Sequence, residues 1–141
     1  VDPVVRDIQQ QLGEQLCYVF RHFPRIDLHP QAHQAAKAAE AAAKQGKFWQ
    51  MHNCLFINQH ALQDGDLAEY ADALELDVMQ FLRDLSGDVH APRVQEDWQS
   101  GVQSGVYQTP TFFINCLRYD NICDRSTLLA ALTSQALTSQ S

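Results

Sequence analysis

The sequence predicts an α/β fold in which a block of helices separates two β regions. Residues 16–20, Leu-Cys-Tyr-Val-Phe, form a continuous apolar run, the pattern of a strand buried on both faces of a sheet. Residues 111–114, Thr-Phe-Phe-Ile, form a β-branched and aromatic run that a turn residue ends. Between these runs, apolar residues recur at helical spacing. The predicted order is therefore helix, strand, helical block, hairpin and helix.

Composition limits the chain to one domain and narrows its partners. The chain has 141 residues, 45% of them hydrophobic, and a formal net charge of -7. This length supports one core rather than two. Repulsion from phosphates argues against nucleic acid or an anionic membrane as partner and favours a protein or a small molecule. No signal peptide and no membrane-spanning run is found, so we expect a soluble domain whose compartment the sequence does not reveal.

The first elements follow from local patterns. Val4, Ile8 and Leu12 recur at helical spacing after Pro3, and Gly13 follows them, so a helix is predicted from residue 3 to residue 12. After the run at 16–20, alanines dominate residues 32–44, which predicts a helix of high intrinsic propensity ended by Gly46. Close packing against a flat surface would suit such small side chains.

The remaining helices are short and carry end signals. The helix that follows the alanine-rich helix has an apolar face, which packing in the core explains. Asp64-Gly65-Asp66 predicts a turn that opens a helix at 67–74. Asp77 and Asp88 are predicted to cap the two helices after that. The apolar positions of these helices are Phe48, Met51, His52, Leu55, Phe56, Val94, Trp98 and Val102.

The C-terminal part of the sequence predicts an antiparallel hairpin followed by a helix. Asn115-Cys116 can form a two-residue turn into Leu117-Arg118-Tyr119, and Asp124 can cap a final helix. Residues 134–141 are polar and are expected to fray. The predicted organisation is one domain at 1–133, a helical insertion at about 30–105, and a polar tail at 134–141.

Pro110 stands at the mouth of the second β region. A prolyl bond is the only peptide bond that becomes cis at small cost, and a proline at the first residue of a strand removes no interior ladder bond. From local sequence alone, an ordinary trans proline and a cis proline that exposes the preceding backbone to a ligand both remain open.

The order of motifs resembles the DsbA-like branch of the thioredoxin fold, in which a helical domain interrupts the α/β frame. The resemblance is carried by residues 17–24, His29-Pro30 with the alanine-rich helix, residues 46–52, residues 104–115 and Arg118-Tyr119-Asp120. It implies a thiol-disulfide oxidoreductase family. In that family the cis-proline loop hydrogen-bonds the substrate peptide, which implies a substrate-binding role for Thr109 and Pro110.

The chain departs from that family at the reactive centre. Family members begin with a central strand that leads into a C-P-x-C motif, whereas this sequence opens inside the helix that follows. The exchange chemistry needs a low-pKa thiolate at a helix N-terminus and a second cysteine two residues away. The four cysteines here are Cys17, Cys54, Cys116 and Cys123, and none forms a C-x-x-C pair. We therefore expect no catalytic residue and no turnover in the chain as it stands.

Two of these cysteines suggest a different bond. Cys116 and Cys123 lie seven residues apart across the predicted hairpin, so a local disulfide is conceivable if their Cα atoms come within about 7 Å. Cys116 also occupies a turn position that favours glycine, at a cost of about 1 kcal/mol. Cys17 is expected to be a buried core residue.

Loss of the central strand would leave neighbouring strands with unpaired backbone groups. We therefore expect a homodimer, in which two copies exchange strands or pair their sheet edges.

Three functional interpretations stay open. The chain is a DsbA-like oxidoreductase domain that is redox-inactive without its cysteine pair, a non-catalytic module that binds peptides or proteins through the Thr-Pro loop, or a metal-binding helical protein. The third rests on His29 and His33, four residues apart. Its further candidate ligands are His22, His52, His60 and Cys54. Spacing alone is a weak signal, so no metal site and no cofactor are predicted.

Overall fold

The computed structural model describes residues 2–121 and 123–139, which form two compact units. We call Val1–Phe20 with Val106–Ser141 the hairpin unit, and Arg21–Gly105 the helical unit. In chain order the elements are α1 Asp2–Leu12, a 3-10 helix Gly13–Gln15, α2 Ala32–Lys44, α3 Phe48–Ile57, α4 Asp64–Ala73, α5 Val78–Ser86, α6 Ala91–Gln103, β1 Phe112–Ile114, β2 Leu117–Tyr119 and α7 Arg125–Ser139.

The core of the helical unit forms around the alanine-rich face of α2. Ala38, Ala41 and Ala42 are fully buried, and α2 packs against both α3 and α5. Small side chains let helix backbones approach closely, so the alanine pattern explains this packing. Met51 on α3 and Phe81 on α5 fill the space between the helices, and both have 0% of their surface exposed.

Helix starts in this unit confirm some of the predicted caps. The Gln80 backbone N–H donates to Asp77 Oδ1 over 3.1 Å, so Asp77 caps α5 as predicted. Pro92 lies in the first turn of α6, where its missing N–H costs nothing. The predicted Asp64-Gly65-Asp66 turn is instead the first turn of α4.

The predicted cap at Asp88 is wrong. Helix α6 begins at Ala91, and His90 holds the N-cap position. Asp88 has a φ of 53°, a left-handed conformation unlike the extended one typical of an N-cap. Its carboxylate accepts a hydrogen bond from the ammonium of buried Lys37 on α2. A buried ammonium needs a partner, which explains why Asp88 turns toward α2.

The hairpin unit has a small core of its own. Ile8 on α1, Ile114 on β1 and Leu128 on α7 are buried together, and partly buried apolar residues surround them. Asp124 Oδ1 accepts a 2.7 Å hydrogen bond from the Thr127 backbone N–H, which confirms the predicted cap of α7. The helix continues past residue 133 to Ser139, so part of the predicted polar tail is helical.

β1 and β2 form an antiparallel hairpin with the predicted two-residue turn. Ile114 pairs with Leu117, and the turn residues Asn115 and Cys116 have φ angles of 49° and 71°. Two positive φ angles define a type I′ turn, whose twist matches that of the strands it joins. The hairpin therefore has the predicted register, with Cys116 at a left-handed position.

The strand predicted at residues 16–20 is wrong. Residues 16–20 form no β-ladder, and the sheet in the described part of the chain contains β1 and β2. Exposed and partly buried residues alternate along the segment, and Val19 is 65% exposed. Cys17 is exposed rather than in the core. Without a neighbouring strand, one face of the segment packs while the other faces solvent.

Helix length and hydropathy also bear on membrane insertion. Within residues 2–121 and 123–139, no helix combines the length and the apolar character that crossing a bilayer requires.

Candidate functional site

The Thr109-Pro110 loop comprises residues 107–111. It lies in the hairpin unit, directly before β1. Its Thr109–Pro110 peptide bond is cis, and both residues are exposed. The Thr111 hydroxyl donates a 2.6 Å hydrogen bond to the Gln108 backbone carbonyl, which closes the loop around the proline. In the described part of the chain, the Thr109 backbone amide and carbonyl make no hydrogen bond. The loop therefore presents one donor and one acceptor to solvent.

The strand that follows presents a second set of backbone groups. Phe113 pairs with Arg118 between the two hydrogen-bonded pairs of the hairpin. In an antiparallel ladder, residues at such a position point their N–H and C=O away from the partner strand. Among the residues the structure describes, no strand pairs with this outer edge of β1. Phe113 is also 41% exposed, so the edge is partly apolar.

Arg118 on β2 contacts Tyr107, the first residue of the loop. Its guanidinium carbon lies 5.1 Å from the centre of the Tyr107 ring, and its Nη2 atom lies 3.5 Å from the Tyr107 hydroxyl. Its Nε atom donates a 2.6 Å hydrogen bond to Asp120 Oδ1. This hydrogen bond raises the pKa of Arg118, so the guanidinium is charged. Tyr107, Arg118 and Asp120 thus form one contact cluster beside the loop.

Tyr107, Arg118 and Asp120 lie in segments that carry the family resemblance, but the sequence predicts no role for them at the site. Arg118 and Asp120 lie two positions apart at the end of a strand, which places them on one face. The two-residue spacing of Arg118 and Asp120 is the sequence feature that could have predicted their contact. The contact with Tyr107 depends on the register of the hairpin, which local sequence alone does not reveal.

The cysteines are all free thiols. Cys17 and Cys116 are exposed, and Cys54 and Cys123 are partly buried. The Cys116–Cys123 disulfide, which the sequence leaves conceivable, is absent from the structure. Cys116 lies exposed in the turn, whereas the Cys123 thiol lies 4.0 Å from the Asn121 carbonyl, with which it makes a weak hydrogen bond. The two side chains therefore occupy different environments.

The histidines do not assemble into a metal site in the described residues, where no group of three or more candidate ligands comes together. His29 lies outside α2 and His33 inside it, so they do not share the predicted helix face. His52 is buried, with its ring centre 4.6 Å from that of Phe56 and 5.8 Å from that of Phe48. His52 is therefore part of the packing of α3.

His22 belongs to a buried polar network in the helical unit. Its Nε2 atom lies 2.8 Å from Glu40 Oε1 on α2, and its backbone N–H donates to Asp97 on α6 over 3.0 Å. The hydrogen bond with His22 lowers the pKa of Glu40. Because His22 and Asp97 are both buried, the network ties the start of the helical unit to two of its helices.

Comparisons with known proteins find a matching family and several similar proteins. Residues 4–127 match the DSBA-like thioredoxin domain. A protein named Na(+)/H(+) antiporter NhaA 1 from Salinispora arenicola is 41% identical over 133 residues, which make up 94% of this chain and 20% of that protein. A protein named Na(+)/H(+) antiporter NhaA from Herminiimonas arsenicoxydans is 42% identical over 126 residues, 89% of this chain and 20% of that protein. The chain spans about a fifth of the length of these relatives.

Proposed function

The chain belongs to the family of DSBA-like thioredoxin domains, and we propose that it binds extended polypeptide segments at the Thr109-Pro110 loop without turning over disulfides. Membership confirms the predicted resemblance and supports the thioredoxin-like class of the fold. Its family is that of thiol-disulfide oxidoreductases. We therefore assign peptide binding to this chain, without the exchange of disulfides.

The exposed backbone of Thr109 is the observation that supports peptide binding most strongly. Its amide and carbonyl make no hydrogen bond in the described residues and stand beside Pro110 on the surface. An extended peptide can satisfy both groups by antiparallel main-chain bonding, which is insensitive to side-chain identity. The cis-proline loop binds substrate in this way in the family that the chain resembles. Recognition through backbone groups would allow the loop to bind peptides of many different sequences.

The placement of the cysteines supports the absence of turnover. Exchange needs a thiolate activated at a helix N-terminus and a resolving cysteine beside it. Cys54 lies in the C-terminal half of α3, and Cys17 and Cys116 lie outside the helices. Cys123 precedes α7, but the Asp124 carboxylate already accepts a backbone N–H of its first turn. Among the described residues, no cysteine therefore stands at an open helix N-terminus with a second cysteine two residues away, the arrangement that exchange requires.

An insulin-reduction assay tests the redox part of the proposal. Precipitation of the insulin B chain in the presence of dithiothreitol is followed with and without the purified chain. We expect the same lag time in both, because no C-x-x-C pair is present to relay electrons. A shortened lag that persists after all four cysteines are alkylated would point to a contaminant, whereas one that alkylation abolishes would overturn the proposal.

Fluorescence anisotropy tests the binding part. The probe is labelled insulin B chain whose cysteines are carboxymethylated, so that no disulfide exchange can occur. Thr109→Pro removes the backbone donor, and Thr109→Ala is the matched control that keeps it. Loss of one peptide hydrogen bond with an unpaired partner should weaken binding about tenfold in Thr109→Pro. Absence of binding by the wild type, or equal losses in the two variants, would contradict the proposal.

We further propose that two copies associate through the outer edge of β1. The outward N–H and C=O of Phe113 and its exposed ring support this proposal, because unpaired strand edges are templates for pairing. Light scattering over a dilution series is expected to show a dimer that dissociates on dilution. Phe113→Pro should shift the series toward monomer and Phe113→Leu should not. A monomer at every concentration would contradict this arrangement.

A second candidate function concerns a larger protein. The relatives that share about 40% identity with nearly the whole chain are named Na(+)/H(+) antiporters. We propose that this chain works as the thioredoxin-fold part of such a transporter. The test replaces the matching region of the Herminiimonas arsenicoxydans protein with this chain and measures sodium-driven dissipation of a pH gradient in everted vesicles. Replacement should restore exchange relative to deletion, and full exchange after deletion alone would contradict the role.

A further inference from the structure

The Tyr107, Arg118 and Asp120 cluster is the part of the hairpin unit that the proposed function does not yet use. Tyr107 lies two residues before Thr109, at the start of the loop, and is 64% exposed. Burial in the hairpin core therefore does not fix its ring. The guanidinium of Arg118 lies over that ring, with its carbon 5.1 Å from the ring centre. A cation at this distance from a tyrosine face is held by the ring quadrupole.

Asp120 fixes the position of the guanidinium. Its Oδ1 atom accepts from Arg118 Nε over 2.6 Å, and the two residues lie on one face of the chain at the end of β2. The bond uses one edge of the planar guanidinium and leaves its face for Tyr107. A lysine has no such planar group and cannot make both contacts in the same way. The arrangement therefore depends on arginine rather than on positive charge alone.

The far end of the loop is held by a different contact. There, the Thr111 hydroxyl bonds to the Gln108 carbonyl. The start of the loop is held by the Arg118 contact with Tyr107. Thr109 lies between these two attachment points, and its own backbone makes no bond in the described residues. A donor and acceptor held in place before binding avoid much of the entropy that ordering the loop would otherwise cost.

We propose that Arg118 is a positioning residue for the peptide-binding loop. It holds Tyr107 so that the Thr109 backbone is already in its binding position before a peptide arrives. The inference rests on the proposed peptide-binding function for its consequence, but the ordering of the free loop is a property of the chain itself. Arg118 acts through Tyr107 and does not contact the peptide.

The experiment compares four variants with the wild type. Arg118→Met keeps the length of the side chain and removes the charge and the planar group, and Arg118→Lys keeps the charge alone. Tyr107→Leu removes the ring, and Tyr107→Phe keeps it and removes the hydroxyl. Backbone amide order parameters of residues 107–109 are measured in the free protein, and anisotropy gives the affinity for carboxymethylated insulin B chain. Circular dichroism verifies that each variant is folded.

We expect order parameters of about 0.85 in the wild type and in Tyr107→Phe, and below about 0.6 in Arg118→Met and Tyr107→Leu. Affinity should fall about fivefold in the latter two. Their double variant should lose no more than either alone, because the residues act as one unit. Arg118→Lys should resemble Arg118→Met more than the wild type.

Three results would overturn the inference. These are an ordered loop in Arg118→Met, equal affinities in Arg118→Met and the wild type, or equal affinities in Arg118→Lys and the wild type, since the last would show that positive charge alone is sufficient. If the wild type binds no peptide, the proposed function fails. The order parameters of the free loop still decide whether Arg118 positions it.

Discussion

The hydroxyl of Thr111 donates a 2.6 Å hydrogen bond to the backbone carbonyl of Gln108, across the Thr109–Pro110 peptide. The bond joins the first residue after the proline to the residue before Thr109. The Gln108 carbonyl accepts this bond, whereas the Thr109 amide and carbonyl make no hydrogen bond among the described residues. The Thr111 side chain thus links the two sides of the loop next to the exposed Thr109 backbone.

Replacement of Thr111 should therefore weaken peptide binding. Thr111→Val keeps the shape and β propensity of the side chain and removes the hydroxyl, and the loss of one hydrogen bond should lower affinity about fivefold. Thr111→Ser keeps the hydroxyl and should bind nearly as the wild type does. Anisotropy with carboxymethylated insulin B chain measures both. Equal affinities for Val and Ser would show that the bond does not shape the loop.

The turn of the hairpin should be improved by glycine. Cys116 has a φ of 71°, and left-handed backbone costs a residue with a Cβ about 1 kcal/mol or more. Cys116→Gly should raise the free energy of unfolding by about 1 kcal/mol. Cys116→Ala, which keeps the Cβ, should bring no gain. Urea denaturation under reducing conditions compares the two, and a stabilised alanine variant would rule out backbone conformation as the cause.

The core of the helical unit should be sensitive at Phe81 and tolerant nearby. Phe81 on α5 is 0% exposed, and truncation of a buried phenylalanine to alanine typically costs about 3–5 kcal/mol. Met79 on the same helix is 65% exposed and is the matched control, with an expected change within about 0.5 kcal/mol. Thermal unfolding followed by circular dichroism gives both values. A small loss at Phe81 would mean that α5 does not pack as described.

The His22–Glu40 contact should make stability depend on acid pH. The hydrogen bond from His22 lowers the pKa of Glu40 below its ordinary value of 4.5. A depressed carboxyl pKa stabilises the folded state above the unfolded pKa, and that stabilisation is lost as the pH falls through the folded pKa. The stability gap between wild type and Glu40→Gln should therefore shrink as the pH drops below about 4.5.

The control for this prediction is Glu69→Gln, which changes an exposed glutamate on α4. This variant leaves the His22–Glu40 contact intact and reports the effect of losing one exposed carboxylate, with which the gap for Glu40→Gln is compared at each pH. Urea denaturation at each pH supplies the free energies. A gap for Glu40→Gln that widens toward acid would reverse the sign of the account.

Local patterns were enough to predict several parts of this molecule. The alanine-rich α2, the Asp77 and Asp124 caps and the two-residue turn at Asn115-Cys116 depend on neighbours in sequence, and the structure has all of them. The resemblance to the DsbA-like family is confirmed, and the binding role that it implies for the Thr109-Pro110 loop stays a prediction.

Features that depend on distant residues were harder to predict. The apolar run at 16–20 has strand composition, but a ladder needs a partner that local sequence does not specify. Asp88 is a residue type that often caps helices. Its carboxylate instead accepts a hydrogen bond from buried Lys37, 51 positions away. The contact between Arg118 and Tyr107 arises only once β2 is aligned on β1. In each case, tertiary contacts decided between local alternatives.

Amide hydrogen exchange at Thr109 tests peptide binding by the loop most directly. In the free protein this exposed amide, which has no hydrogen bond within the described residues, should exchange rapidly. At saturating carboxymethylated insulin B chain, its exchange should slow markedly, while the amide of Glu69, which lies inside α4 in the helical unit, should exchange at the same rate with and without the peptide. Binding that leaves the Thr109 amide in fast exchange would contradict the account.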